Sequence, residues 1–227
     1  MSQDVLAREI RGETLLLHSE HALSWPAHRM LVVADTHFGK SSVFARHGIA
    51  VPAGADELDC ERINALLQAT RSERLLVLGD FLHGPVAPYS EVALRLDEWL
   101  RGLRPVQLML VTGNHDRTAA TGWHAAADWE GEFLDEGPFR FTHDVAKAAQ
   151  PGGAYVVCGH IHPVVALAAL RKRRPRIPVF WERPDSMVLP SFGLFTGGYR
   201  IRPDDGGRVF AAGPECVVEL PWGTRSR

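Results

Sequence analysis

Apolar residues in this chain come in short runs, and most of the runs stop abruptly at a polar residue. Arg29–Ala34 (RMLVVA) is short, β-rich and unbroken, which predicts a strand buried on both faces. It stops at Asp35. Arg74–Leu78 (RLLVL) follows the same pattern and stops at Gly79-Asp80. Val106–Val111 is a third strand, leading into Thr112-Gly113-Asn114-His115-Asp116. Phe139–Thr142 is a fourth, ending at His143, and Tyr155–Cys158 a fifth, ending at Gly159-His160. Between the early strands the spacing becomes helical. Asp56–Thr70 places Leu58, Ile63, Leu66 and Leu67 on one side, with acids near its start that suit the helix dipole. Ser90–Arg101 is an amphipathic helix capped by Ser90. Ahead of the first long run, Ile10–Ala27 reads as two short strands, Thr14–His18 and Ala22–Ser24. Lys40–Gly54 reads as a loop or broken helix, and Asp204–Gly207 (DDGG) as a hairpin turn.

Strands alternate with helices early and dominate late, which predicts an α/β core closed by β-structure. No repeat or long linker divides the chain, so one domain over residues 1–227 is expected. Ligands bind outside the carboxyl edge of open α/β sheets, so the five strand ends are the place to look for chemistry.

Composition changes this picture little. The chain is 45% hydrophobic and 23% charged, with a formal net charge of −2, so bulk charge gives no argument for a polyanion. Three scattered cysteines, Cys60, Cys158 and Cys216, suggest neither a CxxC site nor a disulfide framework and fit a reducing compartment. Residues 1–10 carry acids and no apolar core, unlike a signal peptide, and no run is long enough for a transmembrane helix. A cytoplasmic location and no membrane partner are the expectations.

Histidine is the informative residue: there are eleven, and five lie in the strand-end motifs. In order, the constellation is Asp35-Thr36-His37, Gly79-Asp80, Gly113-Asn114-His115-Asp116, His143 and Gly159-His160-Ile161-His162. Residues two apart on an extended segment point the same way, so Asp35 with His37, and His160 with His162, could each grip one cation. Adding Asp80, Asn114 and His143 makes seven candidate ligands. That exceeds a four-coordinate structural zinc site and suits two adjacent cations sharing a carboxylate. Oxygen and imidazole donors without thiolate favour manganese, iron or zinc.

The set resembles the calcineurin-like metallophosphoesterase superfamily, whose pattern is D-x-H, G-D, G-N-H-[DE], H and G-H-x-H. The resemblance spans Asp35 to His162 and implies a four-layer α/β/β/α sandwich, two mixed β-sheets flanked by helices. It implies one divalent ion on Asp35, His37, Asp80 and His162. A second sits on Asp80, Asn114, His143 and His160, with Asp80 bridging. His143 is preferred over His124 because it follows a strand. By the same resemblance His115 faces the phosphate without binding metal, Asn114 neutralises its charge, and Asp116 supports His115 and fixes its tautomer. The reaction implied is in-line attack on phosphorus by a hydroxide between the two ions.

The stretches DTHFGK, FARHGIAVPAG, GDFLHG, GNHD, GHIHP and LPSFGLFTGG resemble more closely the bacterial metallophosphoesterases encoded beside a DNA ligase and a helicase. That resemblance implies a manganese-dependent DNA endonuclease of DNA repair, acting on DNA and associated functionally with the ligase and helicase. A phosphodiesterase or phosphatase of small nucleotides is the alternative. A non-catalytic scaffold is a third reading, against which stands the complete ligand set.

Outside the motifs, His83 and Arg46 read equally as loop packing and as contacts to a substrate phosphate. The run Arg171–Arg176 reads as a solvated turn or as a track for a nucleic-acid backbone. Phe180, Trp181, Phe192 and Phe195 read as core before base-stacking surfaces. Exposed late strands leave a homodimer open.

Overall fold

The computed structural model describes residues 4–46, 48, 54–87, 89–119, 127–147, 153–166, 175–194, 196–202 and 205–221. The chain builds two mixed β-sheets packed face to face. The first has the order β1 (Val5–Ile10), β2 (Glu13–His18), β3 (Leu23–Trp25), β4 (Met30–Val33), β5 (Arg74–Leu78), β6 (Gln107–Val111) and β7 (Trp129–Gly131). Pairing is antiparallel from β1 to β4 and parallel from β4 to β7. The second sheet runs β14 (Tyr199–Arg200), β11 (Pro163–Ala166), β12 (Arg176–Glu182), β13 (Ser186–Val188), β10 (Tyr155–Cys158), β9 (Phe139–Thr142) and β8 (Phe133–Glu136). β15 (Arg208–Gly213) pairs with both β12 and β16 (Cys216–Leu220).

Alternation along the central strands decides what each face touches. Met30, Val32, Leu76, Leu78, Met109 and Val111 face the second sheet, where they meet Phe139, Phe141, Tyr155, Val157 and Phe180. Leu31, Val33, Leu75, Val77, Leu108 and Leu110 face the helices. There they meet Ile63, Leu66 and Leu67 of α2 (Ala55–Thr70) and Ala93, Leu96 and Leu100 of α3 (Glu91–Gly102). Burial on both faces is why these strands read as unbroken apolar runs. Ser90 caps α3, its Oγ accepting the Ala93 N–H at 3.2 Å. Of the loop or broken helix expected over Lys40–Gly54, the first part forms α1 (Lys40–Arg46), and residues 47 and 49–53 lie outside the described residues.

On the outer face of the second sheet, the described residues carry one 3-10 turn, Val145–Lys147, and no α-helix. The inter-sheet core draws residues from Ile10 through Val217. Among the described residues, no helix is long and apolar enough to cross a membrane.

Two expectations need correction. β1 lies ahead of the predicted start at Ile10; with alternating exposure and charged Arg8 and Glu9, it lacks the apolar run of a central strand. The Asp204–Gly207 segment joins no hairpin, because β14 pairs with β11 and β15 with β12. Asp204 itself, like His47, His124, Phe195 and Arg171–Arg174, lies outside the described residues, as does the side chain of Arg46.

Candidate metal centre

β4, β5 and β6 run parallel and end together, so the turns that follow them lie side by side. The Asp35 N–H donates to the Gly79 carbonyl at 3.2 Å and the His37 N–H to the Asp80 carbonyl at 2.8 Å. In the second sheet, β9 and β10 are also parallel, and the Gly159 N–H donates to the His143 carbonyl at 3.1 Å. Across the gap between the two sheets, the His160 N–H donates to Asp35 Oδ2 at 2.9 Å.

Three motif glycines make this approach feasible. A Cβ on Gly113 would sit 2.2 Å from Asp80 Oδ1, one on Gly159 2.5 Å from Asp35 Oδ2, and one on Gly79 2.3 Å from His143 Nδ1. No larger residue fits unless the carboxylates and the imidazole move away and, at Gly113, the Asp80 backbone moves with them.

Asp35, His37, Asp80, His160 and His162 all have positive φ, between 49° and 68°. Such values are uncommon outside glycine and are enriched for Asp, Asn and His. The extended-segment reason for pairing Asp35 with His37 is therefore corrected, and so is the pairing of His160 with His162 on one cation, since His162 falls with Asp35 and His37 and His160 with Asp80 and His143. Asp35 and His37 both turn inward through left-handed backbone, and the intervening Thr36 hydroxyl donates to the Phe81 carbonyl at 3.0 Å.

The donors form two groups, Asp35–His37–His162 and Asp80–His143–His160, with ligand atoms within 4.8 Å of one another in each. Asp80 faces both. Its Oδ2 lies 3.9 Å from His37 Nε2 and its Oδ1 3.5 Å from His143 Nε2. Asn114 Oδ1 is 2.9 Å from His143 Nε2, and His160 Nδ1 is 3.1 Å from that same nitrogen. All seven residues expected as ligands are thus brought together. Asp35, His37, Asp80 and His143 are buried at the floor, while Asn114 and His160 stand exposed at the rim.

Whether the residues fit cations is tested by their unsatisfied lone pairs. Asp35 Oδ1 is buried and accepts no hydrogen bond, a costly state for a carboxylate oxygen. The His143 Nδ1–H donates to the Leu78 carbonyl at 2.9 Å, which leaves an Nε2 lone pair facing the oxygen acceptors of Asn114 and Asp80. His162 repeats the arrangement. Its Nδ1–H donates to the Gly197 carbonyl at 3.0 Å and its Nε2 lies 3.2 Å from Asp35 Oδ1. Ring N–H groups tied to carbonyls, with the opposite nitrogens converging on carboxylates, are the arrangement a divalent cation needs.

Electrostatics divide the donors. Burial, with Lys40 and the neighbouring imidazoles adding to it, pushes His37 down to about 2. His83 falls to about 4 for the same reasons. Both rings are therefore neutral near pH 7, the form that binds metal. Burial raises the Asp80 carboxyl, with Asp35 adding and His143 and the His115 N–H opposing. Burial pulls His162 down, but the Asp35 carboxylate beside it wins and lifts its pKa above the ordinary value.

His115 stands beside these groups. Its backbone N–H donates to Asp80 Oδ1 at 2.9 Å and its Nδ1–H to the His83 carbonyl at 2.7 Å. That carbonyl, and not Asp116, sets the His115 tautomer. Asp116 accepts the backbone N–H groups of Leu82 at 3.0 Å and Gly113 at 2.8 Å, so it joins the loop after β5 to the loop after β6. His83 reaches the site: its ring stacks on His115 with centroids 4.9 Å apart, and His37, His83 and His115 form a third donor cluster.

Lys40 was given no role on sequence grounds. Burial lowers its pKa, and Asp35 and Asp80 pull it back up, so its ammonium belongs to the field of the site. A lysine opening a helix, where the dipole disfavours a cation, was the available signal.

Two mixed sheets with paired Asp/His groups at their shared edge define a metal-dependent phosphoester hydrolase. The calcineurin-like phosphoesterase profile matches residues 28–163, more than half of the chain. The chain belongs to the calcineurin-like phosphoesterase family. It is similar to the nuclease MPE of Pseudomonas putida, at 34% identity and a TM-score of 0.79, over 95% of this chain and all of that one. Yfce, a phosphoesterase from E. coli, matches at 15% identity and a TM-score of 0.47, over 86% of this chain and 99% of the other. No curated protein sequence matches the chain.

Proposed function

We propose that this protein is a manganese-dependent phosphodiesterase that cuts DNA internally. The supporting observation is its likeness to a Pseudomonas nuclease along nearly the whole chain, together with the two adjacent donor groups, Asp35–His37–His162 and Asp80–His143–His160. Asp, Asn and His donors without thiolate suit manganese, with iron and zinc as competitors. Two divalent cations held there would supply Lewis acidity for polarising phosphate and for activating water near neutral pH.

The chain's own residues do the rest. Asp80 holds the two donor groups in register and, through the His115 N–H, places the histidine. The His83 carbonyl fixes His115 Nδ1 as a donor, so Nε2 is the atom left to meet a phosphate oxygen. When Nε2 carries a proton, His115 hands it to the departing oxygen. Asn114 neutralises charge on a non-bridging oxygen. The parts played by a DNA ligase and a helicase rest on the sequence resemblance and are proposed on that ground.

Circular single-stranded DNA tests the reading, because opening a circle requires internal cleavage. Linear product with manganese, and none in chelator, is expected. Hydrolysis of a cyclic nucleotide or of bis-para-nitrophenyl phosphate with intact circles would replace DNA by a small phosphodiester as substrate.

A further inference from the structure

A cavity of about 150 Å³ opens directly beside the metal centre, with Asn114 and His143 in its wall. It far exceeds the roughly 10–15 Å³ that one water needs and falls below the ~300 Å³ of a pocket for a whole drug-sized ligand. One ring-sized group fits.

The rest of the wall says which kind. Phe133, on the edge strand β8, is 47% exposed. The Arg140 guanidinium lies 4.2 Å from the Phe133 ring centroid, so one face of the ring is backed by a cation. Arg140 is itself locked, donating to both oxygens of Asp135 at 2.7 and 2.6 Å. Asp135 and Arg140 are direct cross-strand partners, so the register of β8 on β9 fixes this platform. The other charges in the wall are engaged as well. Arg117 pairs with Glu132 at 2.7 Å, and Asp144 accepts the Ala146 N–H at 2.9 Å. With both wall arginines held in ion pairs and the Asp144 carboxylate adding negative charge, the exposed, backed aromatic ring suits a flat neutral ring better than a second phosphate.

We propose that this cavity seats the base of one nucleoside of the phosphodiester substrate, stacked on Phe133, with the sugar lying between it and the metal centre. The inference rests on the phosphodiesterase reading of the metal centre and specifies what lies next to the scissile phosphate. Stacking on an aromatic is tolerant of sequence because every base offers a π-face, so the site recognises a nucleoside without selecting a base.

The test compares two diesters with the same para-nitrophenolate leaving group, one esterified to thymidine and the other to methanol. With manganese-loaded enzyme, Phe133→Ala raises KM for the thymidine ester roughly 5- to 150-fold, the range for alanine replacement of a base-stacking aromatic. It leaves the methyl ester unchanged. Phe133→Trp restores the thymidine KM, and unreactive thymidine 5′-phosphate quenches its fluorescence beyond the change seen with the six native tryptophans of the wild type. Equal losses on both esters would make Phe133 a packing residue, and no loss on either would leave the cavity without this role. Either result overturns the proposal, as does failure of the wild-type enzyme to prefer the thymidine ester. Wild-type enzyme that hydrolyses this ester selectively yet leaves circular DNA intact would refute the endonuclease reading and support the nucleoside site.

Discussion

Replacing Asp116 with asparagine keeps the shape of a buried side chain and converts one acceptor into a donor. Its two oxygens accept from Leu82 N–H at 3.0 Å and Gly113 N–H at 2.8 Å. An amide can satisfy one of these; the other buried N–H is left facing a donor, at a cost of about 1–3 kcal/mol. Leu82 follows Asp80 by two positions and Gly113 precedes Asn114, so the loosened register falls between two candidate ligands. Loss of such outer support typically costs roughly 10–100-fold in metal affinity. Urea unfolding of chelator-stripped protein reads the stability, and calorimetric titration with manganese reads the affinity. Asp116→Asn is expected to be less stable by about 1–3 kcal/mol and to bind one of two ions more weakly. A variant that binds both ions as wild type does, and loses only kcat, would mean that Asp116 acts through the His115 ring, and would refute the loop-joining argument.

His115→Ala should lower kcat by about 10²–10⁴-fold, the usual worth of a proton-transfer group, while metal analysis still finds two ions. Loss of an ion would make His115 a ligand of the third donor cluster. Gly159→Ala places a Cβ 2.5 Å from Asp35 Oδ2 and 2.8 Å from Ala34 Cβ. Overpacking of about 1–3 kcal/mol and reduced metal content should follow, and wild-type values in both would show that the loop can yield. Burial lowers His18 from 6.5 to about 4, so the unfolded chain takes up a proton there before the folded one does. That contribution to stability is complete above pH 6.5 and is lost as pH falls toward 4, about 2 kcal/mol by pH 5. His18→Gln should lose less between pH 7.5 and pH 5 in urea unfolding than wild type does; equal losses would contradict the assignment.

The central strands were legible because burial on both faces is written as unbroken apolar sequence, as in Leu75–Leu78. Most candidate ligands were legible because they follow such a run, whereas His143 follows Phe139–Thr142, which Arg140 interrupts. What the sequence does not carry is orientation. Nothing in Asp35-Thr36-His37 announces left-handed backbone, and nothing in Asn114-His115-Asp116 says that the carboxylate turns to neighbouring amides and not to the imidazole. The Phe133 platform depends on which residue of β9 lies opposite Asp135, a matter of register. β1 escaped notice because a half-exposed outer strand mixes charge with alternation.

The unusual backbone at five of the donors also limits how the site can be silenced. Asparagine tolerates these torsions nearly as well as aspartate, whereas a β-branched side chain does not. A chain drifting away from catalysis could therefore shed its cations through Asn at 35 or 80 and keep its architecture, while Val or Ile there would damage folding as well. For the experimenter, Asp35→Asn and Asp80→Asn are the better inert controls, since they remove charge from the centre without forcing the turns to rebuild.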